Sequence, residues 1–348
     1  MARHWKKVAS FAAAVTLAAV TAACGSDAAS DDDGGTSVDG GTSVKLMMFP
    51  NQALRLPAVV AQEQGMFKDE GLSVEFVDQG ASLGAYQLLD ATGSHFTQVS
   101  AASVLESWQA GAKYKVACWQ QSRQLVSVMA PADTDLESVE DGADWRDVLR
   151  QLEGKVLGTP QPEGTGFHKG IETLLTEAGV DPSKVTYVNI GAATPQIDAA
   201  LKNGQVDAAI TFPTSTQYLK DNGTATELMY LPETDSEYGA LYFATWVGQP
   251  KWMEDNPETV EAFCDAVQTA TEFIHDESNA DTLMPIMMED MSLPESVAKR
   301  VLEDGVYDTF TTEITKEQWN QTVQGLIKAG LVKPSPVPSY EELFASAK

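Results

Sequence analysis

Basic residues are scarce in this 348-residue sequence. Lys and Arg number 23 against 50 Asp and Glu, so the formal net charge at pH 7 is −27. Nucleic-acid binding needs a basic surface, and so does docking on anionic lipid through a polybasic face. The charge balance therefore argues against both partners. It leaves a small anionic ligand open, because a local site can override the field of distant charges.

Motifs of catalysis and metal binding are also sparse. The sequence has no HExxH zinc motif, no CxxC pair and no protein-kinase set, and its four histidines show no metal-ligand spacing. We therefore expect neither an enzyme nor a protein that holds a metal or another cofactor. The composition, with 43% hydrophobic residues, is globular. The length exceeds what one compact core usually holds, which favours two lobes.

The first 23 residues are typical of an export signal. Basic residues precede an apolar stretch at Val8–Val20, which is too short for a stable membrane span. Small residues at Thr21–Ala23 then lead directly to Cys24, a pattern that resembles the lipobox of bacterial lipoproteins. We predict that residues 1–23 are a signal peptide and that Cys24 is lipidated, which anchors the exported chain to the outer face of the cell membrane. The alternative is an ordinary signal peptide with an incidental cysteine.

A polar segment, Gly25–Ser43, follows and is made mainly of Gly, Ser, Thr and Asp. It has too little apolar surface to offset the entropy of ordering, so residues 24–43 are predicted to be a lipidated cysteine and a flexible acidic linker. Such a coil reaches roughly 25 Å. The two remaining cysteines, Cys118 and Cys264, form either one disulfide after export or two buried free thiols.

Strand-like and helix-like runs alternate from Val44 to Thr211, which indicates βαβ units and parallel sheets. After Gly239, one strand is followed mainly by helices. We predict an α/β fold of two mainly parallel sheets with flanking helices. Residues 44–130 plus 240–348 form lobe 1 and residues 131–239 form lobe 2. The chain then crosses between the lobes twice, in a two-strand hinge beside a ligand cleft.

Several segments resemble the periplasmic substrate-binding proteins of ABC transporters, in the branch that binds alkanesulfonates, nitrate and thiamine-pyrimidine precursors. In chain order they are Pro57-Ala58-Val59-Val60-Ala61, Gly65-Met66-Phe67, Gly71-Leu72-Ser73-Val74-Glu75, Leu152-Glu153-Gly154-Lys155-Val156-Leu157-Gly158, Gly179-Val180 and Gly204-Gln205-Val206-Asp207-Ala208. The resemblance covers roughly residues 46–267.

The resemblance implies a two-lobed type II periplasmic-binding-protein fold that closes on a small molecule. It implies a monomer that delivers its ligand to the membrane subunits of an ABC permease without catalysis. Two alternatives remain open. One is an exported enzyme on the same fold, related to thiamine-pyrimidine synthase, and the other is a sensor that delivers its ligand to a receptor.

Ligands of open α/β sheets bind at the carboxyl ends of the strands. Those positions are rich in amide, hydroxyl and glycine groups, which suit a small polar molecule, either anionic or heteroaromatic. The predicted ligand-binding residues are Asn51, Ser82, Ser100, Trp119, Gln121, Glu163, Gly164, Thr165, Gly166 and Phe212.

The most informative of these segments is Glu163–Phe167, in which two glycines lie where a loop enters a helix. Backbone N–H groups at a helix N-terminus can bind an oxyanion such as a sulfonate or a carboxylate. The alternative is a plain helix cap at Thr165. Glu163 is unfavourable for a fully anionic ligand, but it could accept from an amino group. Arg55 and Arg123 could pair with an anion, although structural roles are more common for such residues.

Overall fold

The computed structural model describes residues 41–50, 52–79 and 85–344. The predicted signal peptide, Cys24, most of the linker, Asn51 and Ser82 lie outside the described residues. Within those residues, no helix combines the length and apolar character needed to cross a membrane.

Ten strands occur among the described residues. They are β1 (Thr42–Met48), β2 (Leu72–Asp78), β3 (Phe96–Ser100), β4 (Lys115–Gln121), β5 (Ser127–Pro131), β6 (Val156–Thr159), β7 (Thr186–Asn189), β8 (Ala208–Thr211), β9 (Ala225–Tyr230) and β10 (Ala244–Gly248).

These strands form two separate five-stranded sheets. The first has the order β2-β1-β3-β10-β4 and the second has the order β7-β6-β8-β5-β9. In the first sheet β10 runs antiparallel to both of its neighbours, and in the second sheet β5 does the same. The antiparallel strand of each sheet is the first strand formed after the chain crosses into that sheet. The predicted α/β class with two mainly parallel sheets is confirmed.

Four details of the prediction are wrong. Strand β5 was assigned to lobe 1 with residues 44–130, but it pairs with β8 and β9, so the first crossing lies at residues 122–126. The predicted linker 24–43 extends too far, because Thr42 already pairs with β2 and its N–H donates to the carbonyl of Gly71. Strand β9 was missed, and β10 begins four residues later than the predicted start at Ala240.

The helices flank the sheets. They are α1 (Leu56–Glu63), α2 (Met66–Asp69), α3 (Ala85–Thr92), α4 (Ala101–Gln109), α5 (Trp145–Arg150), α6 (Gly166–Glu177), α7 (Thr194–Lys202), α8 (Ser215–Asp221), α9 (Pro250–Asp255), α10 (Pro257–His275), α11 (Ala280–Asp290), α12 (Glu295–Glu303), α13 (Lys316–Lys328) and α14 (Tyr340–Leu343).

Local sequence explains where the main helices begin. Helix α10 starts with Pro257, whose fixed φ and missing N–H suit the first helical position. Its apolar residues at helical spacing, such as Val260, Phe263 and Val267, are buried. Helix α13 begins with a capping box, in which the Thr315 hydroxyl accepts from the N–H of Gln318 and the Gln318 side chain accepts from Thr315. Tertiary contacts therefore act on helices whose limits the sequence already favours.

The hydrophobic core has three parts. One cluster lies between the first sheet and helices such as α1 and α10, and a smaller one belongs to the second sheet. The largest cluster contains side chains of both sheets, including Val116 and Trp119 on one side and Leu157 and Ile210 on the other. The two lobes therefore share apolar contacts in addition to the two crossings.

Candidate functional site

Among the described residues, two side-chain hydrogen bonds tie the crossings to each other. The Gln124 side-chain amide, in the first crossing, donates to the Tyr238 hydroxyl in the second crossing over 2.8 Å. The Arg123 guanidinium donates to the carbonyl of Pro232 over 2.7 Å. Both Gln124 and Tyr238 are buried, and burial raises the pKa of Tyr238 to about 12, so its hydroxyl stays protonated. The two connections thus form one hydrogen-bonded joint.

The predicted binding loop lies between β6 and α6, at the carboxyl end of its strand. Gly164 has φ +81°, a conformation that favours glycine. Thr165 is the N-cap, and its hydroxyl accepts from the N–H of His168 at 3.3 Å and donates to the carbonyl of Pro162 at 2.9 Å. The N–H groups of Gly166 and Phe167 have no acceptor within the helix. The cap and the anion-binding interpretations are therefore compatible.

A carboxylate of the other lobe lies in front of this helix end. A Cβ built on Gly166 would lie 3.9 Å from an oxygen of Glu106, which belongs to α4. Burial raises the pKa of Glu106, and the nearby Lys169 ammonium acts in the opposite direction. Since α4 flanks the first sheet and α6 flanks the second, the start of α6 lies against the other lobe.

Two aromatic rings lie beside the same helix end. Phe167 and Phe212 have ring centroids 5.3 Å apart and planes at 55°, and both side chains are half-buried. Phe212 follows β8 directly, so both rings lie at carboxyl ends of strands in the second sheet. The predicted residues Glu163, Gly164, Thr165, Gly166 and Phe212 thus belong to one lobe face.

Ser100 comes from the facing lobe. It ends β3 and caps α4, and its hydroxyl accepts from the N–H of Ser103 at 3.1 Å. The same hydroxyl lies 3.0 Å from the Ser103 hydroxyl. The Ser100 side chain is half-buried, so it remains partly accessible from the strand end.

Trp119 and Gln121 lie deeper than the other predicted residues. Trp119 is fully buried, and its indole N–H donates to the carbonyl of Gln121 at 2.9 Å. Its ring packs edge-on against Tyr242 and Trp319. Gln121 is 1% exposed. The Trp119 ring is therefore part of the hydrophobic core.

The two arginines that could have met an anion are engaged elsewhere. Arg55 forms a bidentate pair with Asp290, with nitrogen–oxygen distances of 2.7 and 2.8 Å, and only 10% of its side chain is exposed. Arg123 belongs to the joint between the crossings. Among the described residues, no cluster of His, Cys, Asp and Glu is arranged to hold a metal ion.

Sequence reasoning missed three features of the site. Glu106 and Lys169 carry no motif, because their proximity arises only when α4 of one lobe meets α6 of the other. The hydrogen bond between Gln124 and Tyr238 likewise could not be predicted from the sequence. The third feature is visible in the sequence alone. The G-x-S-x-G pattern of serine hydrolases fits Gly80-Ala81-Ser82-Leu83-Gly84, which lies outside the described residues.

Comparison with known families gives one match that covers most of the chain. A family model described as "NMT1/THI5 like" matches residues 54–280. This span includes both sheets except β1, together with both crossings and the loop before α6.

Known proteins with similar sequence or structure agree with that match. YtlA of Bacillus subtilis (strain 168) is 23% identical over 244 residues, which cover 68% of this chain and 68% of YtlA. The periplasmic aliphatic sulphonate binding protein SsuA of Escherichia coli superposes with a TM-score of 0.67 at 14% identity, over 87% of this chain and 97% of SsuA. The desulfurization enzyme DSZB superposes with a TM-score of 0.62 at 13% identity, over 86% of this chain and 95% of DSZB. At these identities the two structures establish a shared fold.

Proposed function

This chain belongs to the NMT1/THI5-like family, and on that premise we propose that it is the extracytoplasmic solute-binding protein of an ABC importer. It captures a small polar organic molecule between its two lobes and delivers it to the permease subunits in the membrane. It acts as a monomer and makes or breaks no covalent bond. Closure is favoured by ligand because only the closed form contacts the ligand from both lobes.

The observation that carries this proposal is the placement of the α6 N-terminus against the opposite lobe. Gly166 and Glu106 belong to helices that flank different sheets, yet a Cβ built on Gly166 would lie 3.9 Å from a Glu106 oxygen. Two crossings joined by the Gln124–Tyr238 hydrogen bond connect those sheets. A site built from both sides of such a joint can couple ligand binding to lobe movement. SsuA, which shares the fold, is described as a binding protein for aliphatic sulphonates.

The charges at the site narrow the ligand class. Helical N–H groups at Gly166 favour a carboxylate, a sulfonate or another acceptor group. The carboxylates of Glu106 and Glu163 favour an amino or ring N–H donor on the same ligand. Phe167 and Phe212 add apolar surface suited to a flat ring or a short alkyl chain. We therefore favour a zwitterion or an aminopyrimidine over a simple inorganic anion, with Asn51, Ser82 and Ser100 completing the polar lining.

Export and anchoring belong to the same proposal. Residues 1–23 act as the signal peptide, Cys24 carries the lipid, and the acidic linker spaces the lobes from the membrane surface. An anchored receptor stays close to its permease, which raises the effective concentration of the loaded form.

A second candidate is an exported enzyme, and two observations favour testing it. DSZB is an enzyme with the same fold, and Ser82 stands in a G-x-S-x-G pattern. The cysteines are poor nucleophile candidates, because burial raises the pKa of Cys264 well above its usual range. A serine hydrolase would release product from an ester, and Ser82→Ala would abolish the release while leaving ligand binding measurable.

The test is a ligand panel with a matched variant pair. Thermal shift would be measured with alkanesulfonates, carboxylates, amino acids and aminopyrimidines, and hits would be confirmed by calorimetry. Gly166→Asp places a carboxylate at the helix N-terminus and should weaken binding at least tenfold. Gln205→Asp, which adds the same charge to an exposed loop after α7, should leave affinity unchanged. Equal affinity of both variants would remove this loop from the site, and turnover of any ligand would favour the enzyme.

A further inference from the structure

Cys118 and Cys264, 146 positions apart in the chain, lie next to each other in the fold. Cys118 is in β4, directly opposite Trp246 of β10. The Trp246 ring meets the Phe263 ring edge-on with centroids 5.3 Å apart, and Phe263 immediately precedes Cys264 in α10. Residues paired directly across antiparallel strands point to the same face of the sheet, so the Cys118 side chain points to the face on which the Trp246 ring meets α10. Helix α10 therefore places Cys264 close enough to Cys118 for the two thiols to act on each other.

The surroundings of the pair are apolar. Cys118 is 6% exposed, and Cys264 is half-buried against the same hydrophobic cluster. Burial and the neighbouring thiol both raise the pKa of Cys264, so little thiolate is present in the folded chain at neutral pH. Since the thiolate is the reactive form, oxidation is fastest before α10 closes over β4.

We infer that Cys118 and Cys264 form a structural disulfide when the exported chain folds in an oxidising compartment. The oxidant is the disulfide of an extracytoplasmic thiol–disulfide oxidoreductase. One cysteine thiolate attacks that disulfide, which forms a mixed disulfide and releases one oxidant thiolate. The second cysteine thiolate then attacks the mixed disulfide and releases the other. The protein loses two protons and two electrons, and the oxidant is reduced to a dithiol.

The position of the bond has a specific consequence for the hinge. Strand β4 precedes the first crossing, and α10 follows β10, which is reached by the second crossing. The closed loop between Cys118 and Cys264 therefore contains all five strands of the second sheet. Both cysteines nevertheless belong to the first lobe. The disulfide links β4 to α10 within lobe 1, on either side of the two crossings that lead to lobe 2. It does not restrict the movement of one lobe relative to the other.

The bond can be tested on the unmodified full chain. Protein exported to an oxidising compartment would be denatured in an alkylating reagent without reductant, digested and mapped by mass spectrometry. We expect a cross-linked peptide pair containing Cys118 and Cys264, which disappears after treatment with dithiothreitol. The same chain produced in a reducing cytosol should carry the alkyl label on both cysteines. Peptide mapping distinguishes Cys24 from Cys118 and Cys264.

Recovery of both alkylated peptides from the exported protein without reductant would overturn the inference. A second measurement uses Cys118→Ser and Cys264→Ser singly. In each exported variant the cross-linked pair should be absent, and the remaining cysteine should be recovered either alkylated or as an unresolved mixed disulfide with the oxidant. A disulfide between the remaining cysteine and Cys24 would show another partner within the chain, and would also overturn the inference. Neither measurement depends on the ligand, so this inference and the proposed transport function can fail separately.

Discussion

The hydroxyl of Tyr238 accepts a hydrogen bond from Gln124 and lies directly against Gly170 of α6. A Cβ built on Gly170 would lie 2.0 Å from the Tyr238 oxygen, so only glycine permits this approach. Tyr238 is 4% exposed and has little room to move. One contact therefore connects both crossings to the helix that begins at the candidate site.

Gly170→Ala should destabilise the protein in spite of the higher helix propensity of alanine. Propensity favours the alanine by about 1 kcal/mol, but forcing a side chain into a packed region costs roughly 1–3 kcal/mol. The displaced Tyr238 would also lose its bond to Gln124. We expect a lower midpoint in urea unfolding and weaker ligand binding.

Thr176→Ala, on an exposed turn of the same helix, is the control and should change the midpoint only slightly. A Gly170→Ala protein at least as stable as the wild type would contradict the close packing of Tyr238 on α6.

Glu106→Gln should strengthen the binding of an alkanesulfonate. Removing the Glu106 charge relieves its repulsion of a bound anion, which is about 1 kcal/mol at 4 Å in a water-like dielectric, or roughly fivefold in affinity. Because burial raises the pKa of Glu106, protonation begins at a higher pH than for an ordinary glutamate. Wild-type affinity should therefore rise as the pH falls through that pKa. A sulfonate remains ionised across this range, so the effect comes from the protein.

The pH dependence should be weaker in Glu106→Gln and unchanged in Glu272→Gln, which alters an exposed residue of α10. Calorimetry across the acidic range measures both. If Glu106→Gln bound an amino-bearing ligand far more weakly while sulfonate affinity stayed constant, Glu106 would be a direct ligand contact and the repulsion argument would be wrong.

Lys220→Met should destabilise the contacts of α8 with β9 and with the end of α12. The Lys220 ammonium lies 3.0 Å from Glu227 and 3.8 Å from Asp304, and these three side chains are only 20%, 13% and 27% exposed. Burial lowers the pKa of Lys220, but the two carboxylates outweigh it and raise the pKa overall. Loss of the cation leaves two carboxylates uncompensated, so we expect about 2 kcal/mol of lost stability, below the value for fully buried pairs.

The double variant Lys220→Met with Glu227→Gln should recover part of this loss, because it removes one of the stranded charges. Urea unfolding of the single and double variants gives the coupling between the two side chains. Additive effects would show that the ammonium and the Glu227 carboxylate do not interact.

Cys24→Ser should release the exported protein from membranes. Lipidation requires the cysteine sulfur. Without the lipid, the chain, whose formal net charge is −27, has no polybasic face to hold the protein on anionic lipid. Membrane fractionation and detergent partitioning measure the change, with Ser26→Ala as the neighbouring control. Continued membrane retention of Cys24→Ser would contradict lipid anchoring.

Much of the fold could be read from local patterns. Thr214 and Pro257 mark the starts of α8 and α10, and the apolar residues of α10 repeat at helical spacing. Strand β5 was placed in the wrong lobe, because a short apolar run carries no information about which sheet it joins. Strand β9 was missed because its sequence, Ala225–Tyr230, includes Thr226 and Glu227 and lacks a continuous apolar run.

The candidate site likewise has one part that local sequence predicts and another that only the tertiary structure shows. The sequence determined the loop Glu163–Gly166, since glycines and a capping threonine act on their immediate neighbours. Only the tertiary structure brought Glu106 to the end of α6, buried Trp119 in the core, and paired Gln124 with Tyr238. Those contacts join residues far apart in the chain, and packing between whole elements decides them. Local propensity sets where a helix starts, whereas the surface that it meets depends on how the two sheets are connected.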